Sequence, residues 1–319
     1  MSQAAFMPKA EAALGTQLAI TILLSTYNGA RFLPDQLASF EAQTHSGWFL
    51  LWRDDGSADE TLAIMRAFTA RMGVERCREA ADSGLHLGAA ASFLSLLDQA
   101  DGAEAVAFAD QDDVWMPGKL ARAVPHLRAG RGQALLYFAR QYLVDDRLQG
   151  RSMSILPGDR AGFPASLTQN IVHGNTMVMN RRAAALVARI PGPPGTVHDW
   201  WSYIVVSACG GRIVLDPEPV VLYRQHRGNL IGSPPSTLAR ASAAVRRGPS
   251  VFMTMMRRHV AQLSAHEALL TEQARADLAR IRAGLETGGP RRAAALRCPG
   301  FRRQTRLEDM LFRLWFMIG

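Results

Sequence analysis

An α/β sheet wound with crossover helices is the fold the sequence predicts, and three observations predict it. Short continuous apolar runs of strand length recur at Leu18–Leu24, Trp48–Trp52 and Ala105–Ala109, as expected of strands buried on both faces. Between them apolar residues return at helical spacing: Phe32, Leu33, Leu37 and Phe40, then Thr61–Met72, then Ser92–Leu97. Each strand-like run also closes on a polar cluster. Ser25-Thr26-Tyr27-Asn28 follows the first, Asp54-Asp55-Gly56-Ser57 the second and Asp110-Gln111-Asp112-Asp113 the third. In open α/β sheets ligands gather at the carboxyl ends of strands, so the same residues that end the strands are the candidate site.

The rhythm continues along the chain. Pro117 and Lys119–Leu127 read as a helix, and Leu135–Val144 and Ile171–Met179 as strands, the second carrying His173, Gly174 and Asn175 within an apolar segment. Gly158, Gly162 and Pro164 mark the loop between them, and Pro191–Gly195 marks another. Val197, His198, Asp199, Trp200 and Trp201 open a helix running to Ala208, followed by strands at Ile213–Leu215 and Val220–Tyr223. Alternating strands and helices favour parallel pairing through crossover helices.

With 319 residues the chain can bury a large core. Cys77, Cys209 and Cys298 are odd in number and widely spaced, which suggests neither a disulfide framework nor a zinc cluster and fits a reducing cytoplasm. Met1–Gln17 has no long apolar stretch and reads as a loose leader. No segment reaches the ~18 uninterrupted apolar residues of a spanning helix.

The net charge of +8 is unevenly placed. From Ser233 onward there are 15 Arg, no Lys and 6 acidic residues, a net of +9, so residues 1–232 sum to −1. Three parts follow: a leader over 1–17, a main domain over 18–232 and an Arg-rich helical extension over 233–319. The extension suits an anionic surface. It lacks the interleaved aromatics of a nucleic-acid binder along most of its length.

Asp110, Asp112 and Asp113 crowd three carboxylates into four positions, and their repulsion is relieved by a bound cation or by protonation. A solvated acidic turn capping the helix after Pro117 is the structural alternative. Asp54 and Asp55 have two readings as well, a turn before the Thr61 helix or acceptors for a nucleobase imide or a ribose hydroxyl. Asp199 is either an N-cap or a carboxylate desolvated against aromatic walls and suited to general-base work. Trp200 and Trp201 suit sugar stacking or plain core packing. His226, in Tyr223-Arg224-Gln225-His226, joins imidazole to the carboxylates, a workable set for Mn²⁺ and a less suitable one for Mg²⁺.

Taken in order, Thr26-Tyr27-Asn28-Gly29-Ala30-Arg31, Asp54-Asp55-Gly56-Ser57, Asp110-Gln111-Asp112-Asp113-Val114-Trp115, His198-Asp199-Trp200-Trp201 and Tyr223-Arg224-Gln225-His226 resemble the family 2 glycosyltransferases of the glycosyltransferase-A fold. The bacterial rhamnosyltransferase-like members are the nearest in kind. The resemblance spans Leu18 to Ile231. It implies a mostly parallel nucleotide-binding sheet flanked by helices and inverting transfer of a sugar, rhamnose from dTDP-rhamnose, to a hydroxyl of a surface-polysaccharide or lipid-linked acceptor. It also implies a nucleotide-sugar pocket of Thr26, Tyr27, Asn28, Arg31, Asp54, Asp55, Gly88, Asp110 and Trp200. In it Tyr27 stacks on the base, Asp54 or Asp55 binds the base and Asp110 faces the ribose. Asp112, with Asp113 as its alternate, and His226 would hold Mn²⁺ or Mg²⁺, and Asp199 would take the acceptor proton. The chain departs from the family around Leu87-Gly88-Ala89, where related sequences often carry Asn and this one has His86 and Ser92. A catalytically silent sugar-nucleotide or glycan binder is the rival reading, and it would lack Asp199 or the acidic cluster.

Leu307, Met310, Leu311, Leu314, Trp315 and Ile318 repeat at helical spacing, widened by Phe312 and Phe316 and flanked by Arg302, Arg303, Arg306 and Arg313. Such a helix seats a protein on the inner face of the cytoplasmic membrane as a peripheral protein, or packs on its own core or a second subunit.

Overall fold

The structure is a computed structural model that describes residues 17–158, 161–226 and 248–319. The expected leader up to residue 16 and the start of the Arg-rich extension, residues 233–247, lie outside the described residues.

The apolar runs form β1 (Ile20–Thr26), β2 (Trp48–Asp54) and β4 (Ala105–Ala109), joined by α1 (Leu33–Glu41), α2 (Thr61–Met72), β3 (Cys77–Glu79) and α3 (Ala89–Gln99). Then come β5 (Val114–Trp115), α4 (Lys119–Ala129), β6 (Leu135–Val144), β7 (Ser152–Met153), α5 (Ala165–Thr168), β8 (Val178–Asn180), α6 (Arg181–Arg189), α7 (His198–Ala208) and β9 (Arg212–Arg224). Four helices close the chain: α8 (Pro249–Ser264), α9 (Glu272–Thr287), α10 (Gly289–Ala295) and α11 (Arg306–Ile318).

The strands lie in the order β3-β2-β1-β4-β8-β6-β9-β5, with β7 beside β6. β1 runs parallel to β2 and β4, β2 to β3, and β6 to β9, whereas β8 is antiparallel to both β4 and β6. β1, β2, β3, β4, β6 and β9 therefore share one direction. Their carboxyl ends meet along one edge, and the turn that leads into the reversed β8 starts at that same edge.

Two expected elements differ. The segment Ile171–Met179 is not a continuous strand: its chain winds into a 3₁₀ turn at Gly174–Thr176, closed by Thr176 N–H to His173 O and Met177 N–H to Gly174 O, and only Val178–Asn180 joins the sheet. The strands expected at Ile213–Leu215 and Val220–Tyr223 are one strand, β9, because register shifts against β6 near Arg140 absorb the Asp216-Pro217-Glu218-Pro219 stretch.

Alternation along the strands divides the core. Ile20, Ile22, Leu24, Leu50, Trp52, Ala107 and Ala109 face α1, α2 and α4, while Leu23, Leu51, Val106, Phe108, Leu136 and Phe138 face α3, α6 and α7. α8 to α11 extend that second layer, with Met256, Val260, Leu278, Ile281, Phe301, Phe312 and Phe316 in the same cluster as Trp201, Tyr203 and Ile204. The described part of the C-terminal extension thus shares a core with the sheet.

Candidate active site

The first strand end is a stitched loop. Asn28 takes the left-handed backbone, φ 46°, which Asn tolerates better than most residues. Its N–H donates to Ser57 Oγ at 2.8 Å and its Oδ1 accepts from Ala58 N–H at 2.8 Å. Tyr27 and Gln111 exchange two bonds of 2.8 Å, Tyr27 N–H to Gln111 Oε1 and Gln111 Nε2 to Tyr27 O. A Cβ on Gly29 would lie 2.1 Å from that Oε1, so a side chain there would push the Gln111 amide out of this exchange. The Tyr27 ring stays 47% exposed, 5.3 Å from the His86 ring. Arg31 reaches over the Phe32 ring to Asp146 at 2.7 Å.

The Asp54-Asp55 pair shapes this edge from below. Asp54 accepts from Thr26 Oγ1, Ser57 Oγ, Gly56 N–H and Ser57 N–H, which fills the roughly four acceptor positions of a carboxylate. Asp55 accepts from Arg53, Ser92 Oγ, Leu87 N–H and Gly88 N–H, with His86 Nδ1 3.0 Å from its Oδ2. Burial works to raise its pKa, but the bonds from Leu87, Arg53, Gly88 and Ser92 outweigh it and hold the carboxyl below its ordinary value. Both acids are nearly inaccessible. Their acceptor capacity is spent on the loop, and the departure at His86 and Ser92 is part of the same network, with Gly88 (φ 81°) as the N-cap of α3.

The three carboxylates after β4 separate in space. Asp113 is fully buried: Asn175 Nδ2 donates to it at 2.6 Å and Arg224 N–H at 3.2 Å. Burial, then the charges of Asp112 and Asp110, push its carboxyl well above the ordinary range. Asp113, the alternate ligand expected from sequence, therefore faces the interior. Asp112 faces the edge, where its Oδ2 lies 2.8 Å from His226 Nε2, both side chains 18% accessible. The His226 ring packs 4.8 Å from Phe32. Asp110 is pushed up to about 7, by burial first and then by the negative charges of Asp112 and Asp199, against the pull of Lys119. One acid thus feels the charges of both the metal-ligand candidate and the base candidate.

Asp199 stands in the first turn of α7. Trp200 N–H and Gly174 N–H donate to its two oxygens, the latter at 3.2 Å, and Asn170 adds a side-chain bond. Despite these, burial raises its pKa to about 6. Beside it His198 stacks on Phe93 at 4.0 Å and meets Phe108 edge-on at 4.8 Å, and burial lowers it to about 3, so it stays neutral. A Cβ on Gly174 would come within 2.7 Å of His198 Nε2 and 3.3 Å of Asp199 Cβ, so the small residue in the 3₁₀ turn lets α7 approach. The Trp200 indole donates to Ser166 O at 2.7 Å and lies edge-on to His259. Trp201 is wholly core.

Three supports went unassigned at the level of sequence. Lys119 is fully buried, its Nζ 2.5 Å from Asn175 O and 3.0 Å from the centre of the Trp115 ring; burial depresses its pKa strongly, opposed by Asp113 and Asp110. Arg224 binds Asp112 O, Asp146 O and Asp35 Oδ2 at 2.9, 2.7 and 2.8 Å and lies over Phe32. Asn175 ties the 3₁₀ turn to Asp113. The visible signal was the polar triplet His173-Gly174-Asn175 inside an apolar segment.

The Asp112 carboxylate and the His226 imidazole are a hard-oxygen and nitrogen pair that suits Mn²⁺. Among the described residues no cluster of three or more His, Cys, Asp or Glu side chains gathers around one point. Two protein donors with substrate phosphates completing the shell is the pattern of many Mg²⁺ sites, so the residues fit a metal that arrives with, or is held by, a diphosphate.

Comparison with known proteins identifies the family. The family model described as Glycosyl transferase family 2 matches residues 21–187. The chain is 25% identical over 223 residues to dTDP-rhamnosyl transferase RfbG of Shigella flexneri, covering 66% of this chain and 74% of that protein. It is 26% identical over 210 residues to protein Rv1520 of Mycobacterium tuberculosis, covering 65% of this chain, and spans only 59% of that relative's length. The structure of S. aureus TarS 1-349 in complex with UDP-GlcNAc superposes with a TM-score of 0.54 at 18% identity, over 84% of this chain and 73% of the other. That likeness establishes a shared glycosyltransferase-A α/β fold. Asp199 and His226 lie beyond the matched family segment, so their roles rest on the geometry. With the family model covering more than half of its length, the chain belongs to glycosyl transferase family 2 and is a glycosyltransferase.

Proposed function

We propose that this glycosyltransferase moves rhamnose from dTDP-rhamnose, with inversion and with the help of Mn²⁺ or Mg²⁺, to a hydroxyl of a surface-polysaccharide or lipid-linked saccharide. The observation that carries the reading is the Asp112–His226 pair at the strand ends, with Asp110 close enough to feel the negative charges of both Asp112 and Asp199. The donor sugar is supported by the likeness to RfbG, whose name specifies dTDP-rhamnosyl transfer.

In this proposal Tyr27 offers its exposed ring to the base, Arg31 lies near the same mouth, and Asp110 faces the ribose. Asp112 and His226 hold the cation, which when bound supplies positive charge to the leaving diphosphate. Asp199 accepts the proton of the acceptor hydroxyl as its oxygen bonds to the anomeric carbon and the bond to the diphosphate breaks on the opposite face. Its raised pKa makes it a stronger base than an ordinary carboxylate while leaving it ionised at neutral pH, and such a base contributes about 10²–10⁴ in rate. The bonds from Trp200 N–H and Gly174 N–H fix the carboxylate's direction. Described this way the catalytic domain is 18–232 and residues 233–319 are its extension.

A panel of nucleotide sugars incubated with the protein and a rhamnose-containing oligosaccharide, with products read by mass spectrometry, tests the donor. A mass gain of one deoxyhexose from dTDP-rhamnose alone is expected. Transfer of a hexose or an N-acetylhexosamine instead would replace the donor.

A further inference from the structure

α11 carries more apolar surface than the structure packs. Phe312, Trp315 and Phe316 turn inward onto Phe252 and Phe301, with ring centroids 5.1–6.0 Å apart. Leu307, Met310, Leu314, Met317 and Ile318 are left between 42% and 68% exposed. At 100° per residue these five fall on one arc of the helix, opposite Phe312 and Phe316. The stripe read from the sequence as one face is therefore two, and Trp315 belongs to the packed one.

The open arc is edged by cations. Arg306 and Arg313 lie along one flank by the same helical count, and at the end of the helix Arg292 donates to Met317 O and Arg257 to Gly319 O. Of the helix's two acids, Glu308 is buried in the N-terminal capping bonds with Thr305, whereas Asp309 pairs with Arg313 at 2.7 Å and offsets its charge, so Arg306 carries the flank.

We infer that this arc is a docking surface for an anionic lipid bilayer, with the five apolar side chains entering the headgroup boundary and the arginines meeting the phosphates. This goes beyond the proposed reaction and does not depend on it. An apolar arc with basic flanks is the form of a helix lying in a membrane interface. At 13 residues the helix is about 20 Å long, shorter than the ~30 Å hydrocarbon layer, and among the described residues no helix is long and apolar enough to cross a membrane. A second copy of the chain fits less well. Five side chains at about half exposure offer roughly 500 Å², short of the ~800 Å² per partner of a stable interface, and the arginine edge would face its own charge across a twofold axis.

Flotation of the full chain with phosphatidylcholine vesicles, and with vesicles of equal parts phosphatidylcholine and phosphatidylglycerol, tests the inference without any nucleotide sugar, so its outcome is independent of the transfer reaction. Wild-type protein is expected in the lipid fraction with phosphatidylglycerol only, and to leave it at raised salt. Met310→Glu/Leu314→Glu changes two exposed positions, keeps the thermal midpoint and is expected to stay in the soluble fraction. Arg306→Gln keeps the apolar arc and is expected to weaken vesicle affinity about fivefold. Wild-type protein absent from the lipid fraction, or equal recovery of the double variant, overturns the inference. So does a wild-type dimer by sedimentation that Met310→Glu/Leu314→Glu turns into a monomer, which would give the arc to a second copy.

Discussion

His226 Nε2 lies 2.8 Å from Asp112 Oδ2, joining the end of β9 to the end of β4 across 114 residues of chain. The sheet brings the two together: β9 pairs with β6 in parallel, β6 is held to β4 through the reversed strand β8, and β5, just after Asp112, pairs with β9. The pair belongs to the acidic cluster, and the positioning of both residues depends on Arg224, which bonds the Asp112 backbone and stands two residues before His226.

Excess chelator is expected to abolish transfer, and Mn²⁺ or Mg²⁺ to restore it. His226→Ala is expected to lower the transfer rate by about 10²-fold at fixed metal, the scale of losing one stabiliser of developing charge, and to shift half-activation to higher Mn²⁺. Transfer at full rate in chelator would remove the metal from the account. A metal titration followed by steady-state rates decides between them.

Tyr27 is exposed and carries no packing burden, so Tyr27→Ala should leave the thermal midpoint unchanged. A base stacked on an aromatic ring is worth ~1–3 kcal/mol, so dTDP affinity is expected to fall about 5- to 100-fold. Stacking acts alike on ground and transition states, so KM for the donor should rise while kcat changes little. Calorimetry with dTDP and initial rates measure both.

Lys119 is fully buried at the acidic cluster. Lys119→Met keeps the volume and removes a buried cation that interacts with both Asp110 and Asp113. Breaking such a buried charge arrangement costs ~3–5 kcal/mol, so the midpoint of denaturant unfolding is expected to fall with an unchanged slope. A stability within about 0.5 kcal/mol of wild type would mean that Lys119 is a neutral spacer.

The strands β1, β2 and β4 and the polar clusters that end them were legible because a doubly buried strand is a run of apolar residues and its end is where polarity returns. β9 was legible only as two separate strands, because the Asp216-Pro217-Glu218-Pro219 stretch lies between its apolar runs and only the register shift against β6 shows how it fits. β8 was hidden for the opposite reason: an apolar run concealed a 3₁₀ turn. The individual acids could be found but not sorted, because what separates inward-facing Asp113 from edge-facing Asp112 is the donors Asn175 Nδ2 and Arg224 N–H, 62 and 111 residues away. Lys119 escaped notice since lysine is rarely buried without a partner, and its partners are the acids themselves. For α11 the sequence showed an apolar helix, but the face that packs was chosen by Phe252 and Phe301.

Asp199→Asn tests the central claim, that Asp199 is the general base. Wild-type transfer is expected to rise with pH through about 6 and level off, because burial has raised the carboxyl to that value and only its ionised form accepts a proton. The stability sign is opposite. A folded pKa above the unfolded one stabilises below the unfolded value and that stability is lost as pH rises through about 6, so at neutral pH the ionised Asp199 is a cost. Asp199→Asn should unfold no more easily than wild type at neutral pH, with any advantage shrinking towards pH 5. Single-turnover transfer by Asp199→Asn at saturating donor, measured beside its dTDP affinity, is the most direct measurement: the account predicts unchanged affinity with transfer slowed by about 10²–10⁴, and turnover near that of wild type would contradict it.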